Sequence, residues 1–230
     1  TTMYLIEGED KAVLIDTGTR CADLDKIVGQ ITGKPLEVIV THMHPDHAGC
    51  IKYFDKVWMH RADTVLVPQH AADYQGEFLY MEEGQVFDLG GRKLEVAWMP
   101  GHTPGSVVLL DKANGDCYSG DAFGSGEVWL QCVPMSPIAT FHESCCRMEK
   151  LMKEGHIKDI WCGHYPYLKS SLPLAYIQTM IRISHRLMNG DQEGSEPYSN
   201  YFIKMPPTAR KLAEGRAMIV YDSTNIPEAR

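Results

Sequence analysis

The sequence predicts an α+β fold, in which two β-sheets form a sandwich with helices on the outside. In the first half of the chain, short apolar runs bounded by turn residues alternate with stretches of helical spacing, and the second half repeats this character more loosely. Elements of both kinds bury their apolar faces in packed layers. At 230 residues, the chain is long enough for a substantial core.

The predicted strands are short apolar runs that end at glycine, proline, asparagine or aspartate. The first two form a hairpin around Gly8-Glu9-Asp10, and Asn114-Gly115 is a strong turn signal for a later hairpin. In chain order, the predicted strands are residues 3–6, 12–15, 36–40, 57–60, 86–87, 93–98, 106–110, 117–119, 157–161 and 217–221.

The predicted helices show apolar positions three and four residues apart. Residues 20–31 place Leu24, Val28 and Ile31 on one face, and Gly33-Lys34-Pro35 ends this helix. The other predicted helices are residues 48–54, 61–67, 141–153 and 172–188. Between these elements we predict a long connection over residues 67–84 and a glycine-rich loop over residues 123–137.

The most informative stretch lies directly after the apolar run 38–40. His42, His44, Asp46 and His47 place three imidazoles and a carboxylate within six residues. Imidazole and carboxylate are the usual ligands of Zn²⁺ and non-haem iron. A packing role does not explain the stretch, because each buried polar group needs its own partner. The alternative is a solvated polar loop.

Three later residues repeat one design, in which a strand ends and a ligand type follows a glycine. They are His102 in Pro100-Gly101-His102-Thr103-Pro104-Gly105, Asp121 in Ser119-Gly120-Asp121, and His164 in Cys162-Gly163-His164. Glycine lets the backbone approach closely and turn sharply. Together with the first stretch, these residues make seven candidate ligands, which are too many for one zinc ion and suit two.

The order His-x-His-x-Asp-His, Gly-His-Thr-Pro-Gly, Gly-Asp, Gly-His resembles that of the metallo-β-lactamase-fold hydrolases, in the glyoxalase II-like branch. Leu14-Ile15-Asp16-Thr17-Gly18 matches a further signature of this family. The resemblance runs from about residue 3 to 165. It implies an αββα sandwich of two mixed sheets with the metal site at one edge. We expect one domain over residues 1–230, with a helical and loop extension from about residue 166.

The resemblance also implies how the ligands divide between two ions. His42, His44 and His102 would hold the first ion, Asp46, His47 and His164 the second, and Asp121 would bridge them. Asp16 would orient the histidine-rich loop from behind, as outer carboxylates orient ligating imidazoles. Asp46 and Asp121 are the catalytic candidates, and Asp46 would accept a proton or steer the hydroxide. Two Zn²⁺ ions are expected, with iron and manganese as alternatives.

This site implies a metal-dependent hydrolase. A hydroxide bridging two zinc ions would attack a small-molecule thioester, ester or lactone. The alternatives are an iron-dependent oxidoreductase of the persulfide dioxygenase type and a phosphodiesterase of the same fold. The intact His44 favours a zinc hydrolase over flavodiiron-type oxygen reductases, which carry a carboxylate at this position.

The residues after Asp121 count against two substrate classes of the family, glutathione thioesters and lactones. Glyoxalase II enzymes carry a Cys-Gly-Arg stretch there, whereas this chain has Ala122-Phe123-Gly124. Lactonases of the family place a tyrosine three residues after the aspartate, where this chain has Gly124. Substrate contacts are expected from loop aromatics, each with core packing as its alternative. These candidates are Tyr74, Phe78, Phe123, Trp129, Tyr201 and Phe202.

Composition limits the partners. The net charge of −8 counts against a nucleic-acid partner, which would need a basic face. No apolar run approaches the ~20 residues of a membrane span. Seven cysteines without Cys-x-x-Cys spacing, and no leader-like segment at the start, predict a cytoplasmic protein with reduced thiols. We expect a small-molecule substrate. The oligomeric state, including a homodimer, and any residues before Thr1 are left open.

Overall fold

The computed structural model describes residues 1–124, 126–132, 134–201 and 204–227, so the candidate Phe202 lies outside the described residues. The strands are β1 Tyr4–Glu7, β2 Ala12–Ile15, β3 Leu36–Ile39, β4 Lys56–His60, β5 Glu77–Met81, β6 Val86–Asp88, β7 Lys93–Trp98, β8 Val107–Asp111, β9 Asp116–Gly120, β10 Glu127–Trp129, β11 Asp159–Cys162, β12 Glu196–Pro197, β13 Ala209–Glu214 and β14 Ala217–Asp222. The helices are α1 Leu24–Ile31, α2 Pro45–Ala48, α3 Val67–His70, α4 Ile138–Lys153, α5 Tyr165–Leu168 and α6 Leu174–Met188.

Two five-stranded sheets form the body of the fold. The first has the order β1-β2-β3-β4-β5 and the second β11-β9-β8-β7-β6. Both are mixed, because β1 runs antiparallel to β2 while β2 to β5 run parallel, and β11 is parallel to β9 in a sheet that is otherwise antiparallel. A third sheet has the order β10-β14-β13-β12.

Because side chains alternate along each strand, the apolar residues fall into three clusters between the layers of the fold. In β8, Val107 and Leu109 belong to the cluster between the two large sheets. Their neighbours Val108 and Leu110 belong to the cluster shared with α4 and α6. On the other side, Leu14 of β2 packs with the α1 residues of a third cluster. The layers are therefore helix, sheet, sheet, helix, and the predicted αββα sandwich is confirmed.

Several predictions of local structure are corrected. The connection 67–84 contains α3 and β5, and β5 pairs in parallel with β4. The loop 123–137 contains β10, which pairs in parallel with β14. The predicted helix 48–54 is instead the one-turn α2 followed by a 3₁₀ turn, Ile51–Tyr53. Across the described residues, no helix combines the length and apolarity needed to cross a membrane.

Candidate metal centre

Each predicted ligand lies in the segment that follows a strand of the two large sheets, and backbone hydrogen bonds join these segments. The amide of Val107 donates to the Thr41 carbonyl over 3.0 Å, and Gly163 donates to Gly120 over 2.8 Å. The strands that deliver candidate residues are β2 to Asp16, β3 to the histidine-rich loop, β7 to His102, β9 to Asp121 and β11 to His164. The sandwich thus gathers segments far apart in sequence at one edge.

Asp16 lies behind the histidine-rich loop and fixes two of its imidazoles. His47 Nδ1 donates to Asp16 Oδ2 over 2.7 Å. The Thr41 hydroxyl donates to Asp16 over 3.0 Å and lies 3.2 Å from His42 Nδ1, from which it accepts. Each ring therefore carries a proton on Nδ1, and Nε2 of each is the atom that would bind a metal. Asp16 itself is buried and adopts a left-handed backbone conformation with φ 63°.

The first group of candidate ligands contains three imidazoles. One ligand atom each from His42, His44 and His102 lies within 4.8 Å of the others. His44 Nδ1 is 2.9 Å from His102 Nε2. His102 Nδ1 donates to the Trp129 carbonyl over 2.8 Å, which leaves the lone pair of His102 on Nε2, the atom that would bind a metal.

The second group contains two carboxylates and two imidazoles. Atoms of Asp46, His47, Asp121 and His164 again lie within 4.8 Å of one another. His164 Nε2 is 3.2 Å from Asp46 Oδ2 and 3.1 Å from Asp121 Oδ2. His47 Nε2 is 3.5 Å from the carboxylates of both Asp46 and Asp121. Asp121 also approaches the first group, with Oδ2 4.0 Å from His102 Nε2.

Three buried ligand atoms have no hydrogen-bond partner among the described residues. They are His42 Nε2, His47 Nε2 and Asp121 Oδ1. Buried polar atoms are nearly always paired, so three unpaired atoms that converge on one place need an explanation. Divalent cations would supply it, because imidazole nitrogens and carboxylate oxygens are metal ligands. The residues present therefore fit metal ions.

Protonation differs between the two groups. Burial lowers the pKa of His44 to about 3, an effect to which neighbouring His102 contributes, and burial lowers the pKa of His102 too. Burial also opposes charge on His164 and Asp121, but their mutual hydrogen bond outweighs it. The pKa of His164 is raised to about 9, and the pKa of Asp121 is held well below its usual range, with His47 contributing. A cation in the second group would take the place of protons held between carboxylates and imidazoles.

Two glycines are required by close contacts at the centre. A Cβ on Gly163 would lie 2.4 Å from His47 Cε1 and 2.6 Å from Asp121 Oδ1. A Cβ on Gly120, which has φ 49°, would lie 2.1 Å from the Thr41 hydroxyl oxygen. The glycine before each of these ligands therefore leaves room for the centre itself.

Comparison with known families matches this architecture. A family model described as Metallo-beta-lactamase superfamily matches residues 1–142, more than half of the chain. The chain belongs to the metallo-beta-lactamase superfamily. The predicted family and the predicted class, a metal-dependent hydrolase, are confirmed.

Superfamily relatives cover most of the chain at low identity. Acyl-coenzyme A thioesterase MBLAC2 of Homo sapiens is 26% identical over 202 residues, which cover 71% of this chain and 72% of that protein. Hydroxyacylglutathione hydrolase of Francisella philomiragia subsp. philomiragia is 24% identical over 175 residues, covering 74% of this chain and 67% of that protein. Among solved structures, TTHA1623 in a di-iron-bound form matches with a TM-score of 0.60 and 27% identity, covering 75% of this chain and 89% of that chain.

Asp63 is a residue of the centre that sequence reasoning missed. Its buried carboxylate accepts hydrogen bonds from the Met43 amide at 2.9 Å, the Gly105 amide at 2.6 Å and the Thr103 hydroxyl at 3.0 Å. It therefore joins the loop carrying His42 and His44 to the loop carrying His102. An aspartate in a helix-like segment gives no sequence signal for this role, because its partners are backbone groups of two distant loops.

The predicted substrate contacts lie in different places. Phe123 is fully buried in the core, and its carbonyl accepts from the Tyr176 hydroxyl. The rings of Tyr74 and Phe78 pack together at 4.7 Å beside the α1 layer. Trp129 is half-buried and borders the centre through its carbonyl bond to His102, and Tyr201 is fully exposed. Of this set, Trp129 has a direct contact with a candidate ligand among the described residues.

Two further side chains lie beside the centre. The ring of His70, at the end of α3, is 5.9 Å from the ring of His44. Burial raises the pKa of the Cys132 thiol to about 11, and the nearby carboxylates of Asp121 and Asp46 add to this shift. Neither residue belongs to the motifs on which the sequence prediction rests.

Proposed function

We propose that the protein is a binuclear metal hydrolase that cleaves a small-molecule thioester. One observation carries this proposal. Seven candidate ligands form two adjoining groups, in which Asp121 of the second lies 4.0 Å from His102 of the first, and three of their buried atoms are unpaired. Two divalent ions would satisfy these atoms, and a net charge of −8 counts against nucleic acid as the substrate.

We propose zinc as the resident metal, held in the first group by three imidazoles and in the second by Asp46, His47 and His164, with Asp121 between them. Bound zinc ions polarise a carbonyl oxygen and lower the pKa of water into the neutral range. Iron is the alternative metal, since TTHA1623 is known in a di-iron-bound form.

We assign Asp46 the task of orienting the attacking water. Its side chain is 37% exposed, so it is the more open of the two carboxylates, and its Oδ2 atom lies beside His164. Burial opposes its ionisation, but the hydrogen bond from His164 and the charge of His47 keep its pKa below the usual range. At neutral pH the carboxylate is therefore an acceptor that holds a water hydrogen and aims the oxygen.

A thioester suits this arrangement. The water oxygen forms a bond to the carbonyl carbon, the carbon–sulfur bond breaks, and the sulfur leaves with the electron pair as a thiolate. A thiol has a pKa of about 8.5, so the sulfur can leave as a thiolate and no general acid is needed to protonate it. The products are a carboxylate and a thiol, and the remaining proton passes to solvent past the exposed face of Asp46.

The names of two relatives support a thioester as the bond that is cleaved. One is named as an acyl-coenzyme A thioesterase and the other as a hydroxyacylglutathione hydrolase, and both names describe an acyl group carried on a thiol. This agreement favours a thioester over the lactone, ester and phosphodiester alternatives. The low identities leave the carrier thiol open.

A panel of substrates together with elemental analysis tests the proposal. We expect about two metal ions per chain and kcat/KM values at least tenfold higher for acyl-coenzyme A or acylglutathione thioesters than for lactones and phosphodiesters. Fully loaded protein that prefers a phosphodiester, or that leaves every thioester intact, would contradict it. Iron content with oxygen consumption on a persulfide would point to the oxidoreductase instead.

A further inference from the structure

Three further side chains of metal-ligand type lie on the α4–α6 helix pair, on which none of the seven candidate ligands lies. His142 and Cys146 are four residues apart on α4 and therefore neighbours on one helix face. His185 of α6 faces them, with its ring centroid 6.0 Å from that of His142. Cys146 and His185 are exposed, and His142 is half-buried.

The ring of His142 is held in a defined orientation. The buried Ser184 hydroxyl has one proton, which it donates to the Met180 carbonyl at 2.7 Å, and the Ile181 carbonyl lies 3.1 Å away. Ser184 must therefore accept from His142 Nδ1, which is 2.9 Å away. The lone pair of His142 is then on Nε2 and points to Cys146. Such a hydrogen bond to the second ring nitrogen is what orients imidazoles that bind metals.

The spacing of the two α4 ligands fits a shared metal ion. His142 Nε2 and Cys146 Sγ are 3.5 Å apart. A tetrahedral zinc ion with bonds of about 2.0 Å to nitrogen and about 2.3 Å to sulfur requires a separation of about 3.5 Å. The two atoms already have this separation without movement of the helix.

Two acidic residues act on the thiol. Burial raises the pKa of Cys146, and the charges of Glu149 and Glu143 add to this shift, so the thiol keeps its proton at neutral pH until a bound cation displaces it. The exposed ring of His185 lies 3.4 Å from the Asn189 amide nitrogen of its own helix, and its centroid is 6.0 Å from that of His142. Rotation of that side chain would complete a three-ligand site with solvent at the fourth position.

We propose that Cys146, His142 and His185 form a second binding site for a borderline or soft divalent cation, with Zn²⁺ as the first candidate. On binding, the sulfur–metal bond forms and the thiol proton is released to solvent. The ion would then link α4 to α6 across the outer helical layer. The site does not depend on the proposed function, because it shares no residue with the candidate metal centre.

Cobalt serves as the probe, because a cobalt–thiolate bond gives a charge-transfer absorption that histidine and aspartate ligands do not give. The full chain, with its candidate metal centre loaded with zinc, is titrated with Co²⁺. We expect this absorption to saturate at one added equivalent in the wild-type protein. Cys146→Ser should lose it, and His185→Ala should weaken cobalt binding about tenfold or more.

Matched controls use residues of the same type outside the cluster. Cys21→Ser removes a half-buried thiol on the α1 side, and His156→Ala removes an exposed imidazole just beyond α4. Both should titrate like the wild type, and unfolding curves without added metal verify that all four variants fold. The proposal is overturned if the wild type shows no thiolate absorption, if Cys146→Ser keeps it, or if His185→Ala binds cobalt as tightly as the wild type.

Discussion

Asp121 lies where the two groups of ligands meet. Its carboxylate is 3.1 Å from His164 Nε2, 3.5 Å from His47 Nε2 and 4.0 Å from His102 Nε2. A single carboxylate within reach of three imidazoles from three segments supports our proposal that Asp121 bridges two cations.

Replacement of this carboxylate tests the bridge. Asp121→Ala should remove at least one of the two metal ions and lower kcat/KM for the best thioester by about 1,000-fold or more, because bridging ligands support both ions. Elemental analysis and steady-state kinetics measure these effects. Asp88→Ala, an exposed change on β6, serves as the control. Two retained ions in Asp121→Ala would mean that this residue does not bridge them.

Asp63 affects the candidate metal centre indirectly, because it holds together the two loops that carry the first group of ligands. Asp63→Asn keeps the volume but turns one hydrogen-bond acceptor into a donor that faces an amide or hydroxyl group. We expect about 1–3 kcal/mol lower stability. Metal affinity should fall about 10–100-fold, because the loops of the first group lose their shared anchor. Denaturant unfolding and metal titration measure the two effects, with the exposed Asp25→Asn of α1 as the control. Unchanged metal affinity would assign Asp63 to stability alone.

The contrast between these two aspartates shows what sequence can and cannot reveal at single positions. Asp121 can be predicted as a candidate ligand because a glycine and a strand end mark it, and because the ligand types around it recur in a fixed order. Asp63 is missed because its role depends on backbone amides of Met43 and Gly105, which carry no residue-type signal. Trp129 is predicted to lie near the centre and does so, but it contacts His102 through its backbone carbonyl and not through its ring.

At the scale of elements, strand ends place the centre. β2 and β8 are predictable because every residue of each is buried, and β3 because it ends in the buried pair Val38 and Ile39. β5 is missed because its aromatic residues follow a long polar stretch. The pairing of β10 with β14 is missed because three-residue runs some 90 positions apart carry no pairing signal. Local patterns therefore predict the sandwich but not the third sheet.

The turn after β11 offers a test at this scale. Gly163→Ala would place a methyl group against His47 and Asp121, so one ligand of the second group must move. We expect metal affinity and turnover to fall at least tenfold, while overpacking lowers stability by about 1–3 kcal/mol. Gly33→Ala, where an added Cβ meets nothing within 4 Å, is the matched control. Equal metal binding by the two variants would show that close packing at Gly163 is not required.

At the scale of the whole molecule, the C-terminal part packs into the body. The α6 residues Ile177, Met180, Ile183 and Leu187 are fully buried in the cluster that includes α4 and β8. β14 also pairs with β10 from the central part of the chain. We therefore propose one domain over residues 1–230, with the part after residue 166 folded onto the sandwich.

Truncation tests that proposal. A chain ending at residue 165 would expose the apolar face of α4 and lose a partner strand of β10, so we expect it to be insoluble or to unfold without cooperativity. Circular dichroism and unfolding curves measure this outcome, with a chain ending at residue 222, after β14, as the control. A cooperatively folding 1–165 chain would show that the C-terminal part is a separate addition.

Metal removal links the centre to the stability of the whole chain. A ligand that binds only the folded state stabilises it by about 2.7 kcal/mol when its concentration is 100 times its Kd. For a chain of this size, that corresponds to about 5–10 °C in Tm. We expect chelation to lower Tm by this amount and zinc to restore it, as followed by calorimetry. An unchanged Tm would indicate that the ligands are held without metal.

Anomalous X-ray scattering from crystals of the purified protein, recorded at the zinc and iron absorption edges, tests the central claim most directly. The account predicts two anomalous peaks about 3.5–4 Å apart, one beside His42, His44 and His102 and one beside Asp46, His47 and His164, with Asp121 between them. A single peak, or no peak among these seven side chains in catalytically active protein, would contradict it.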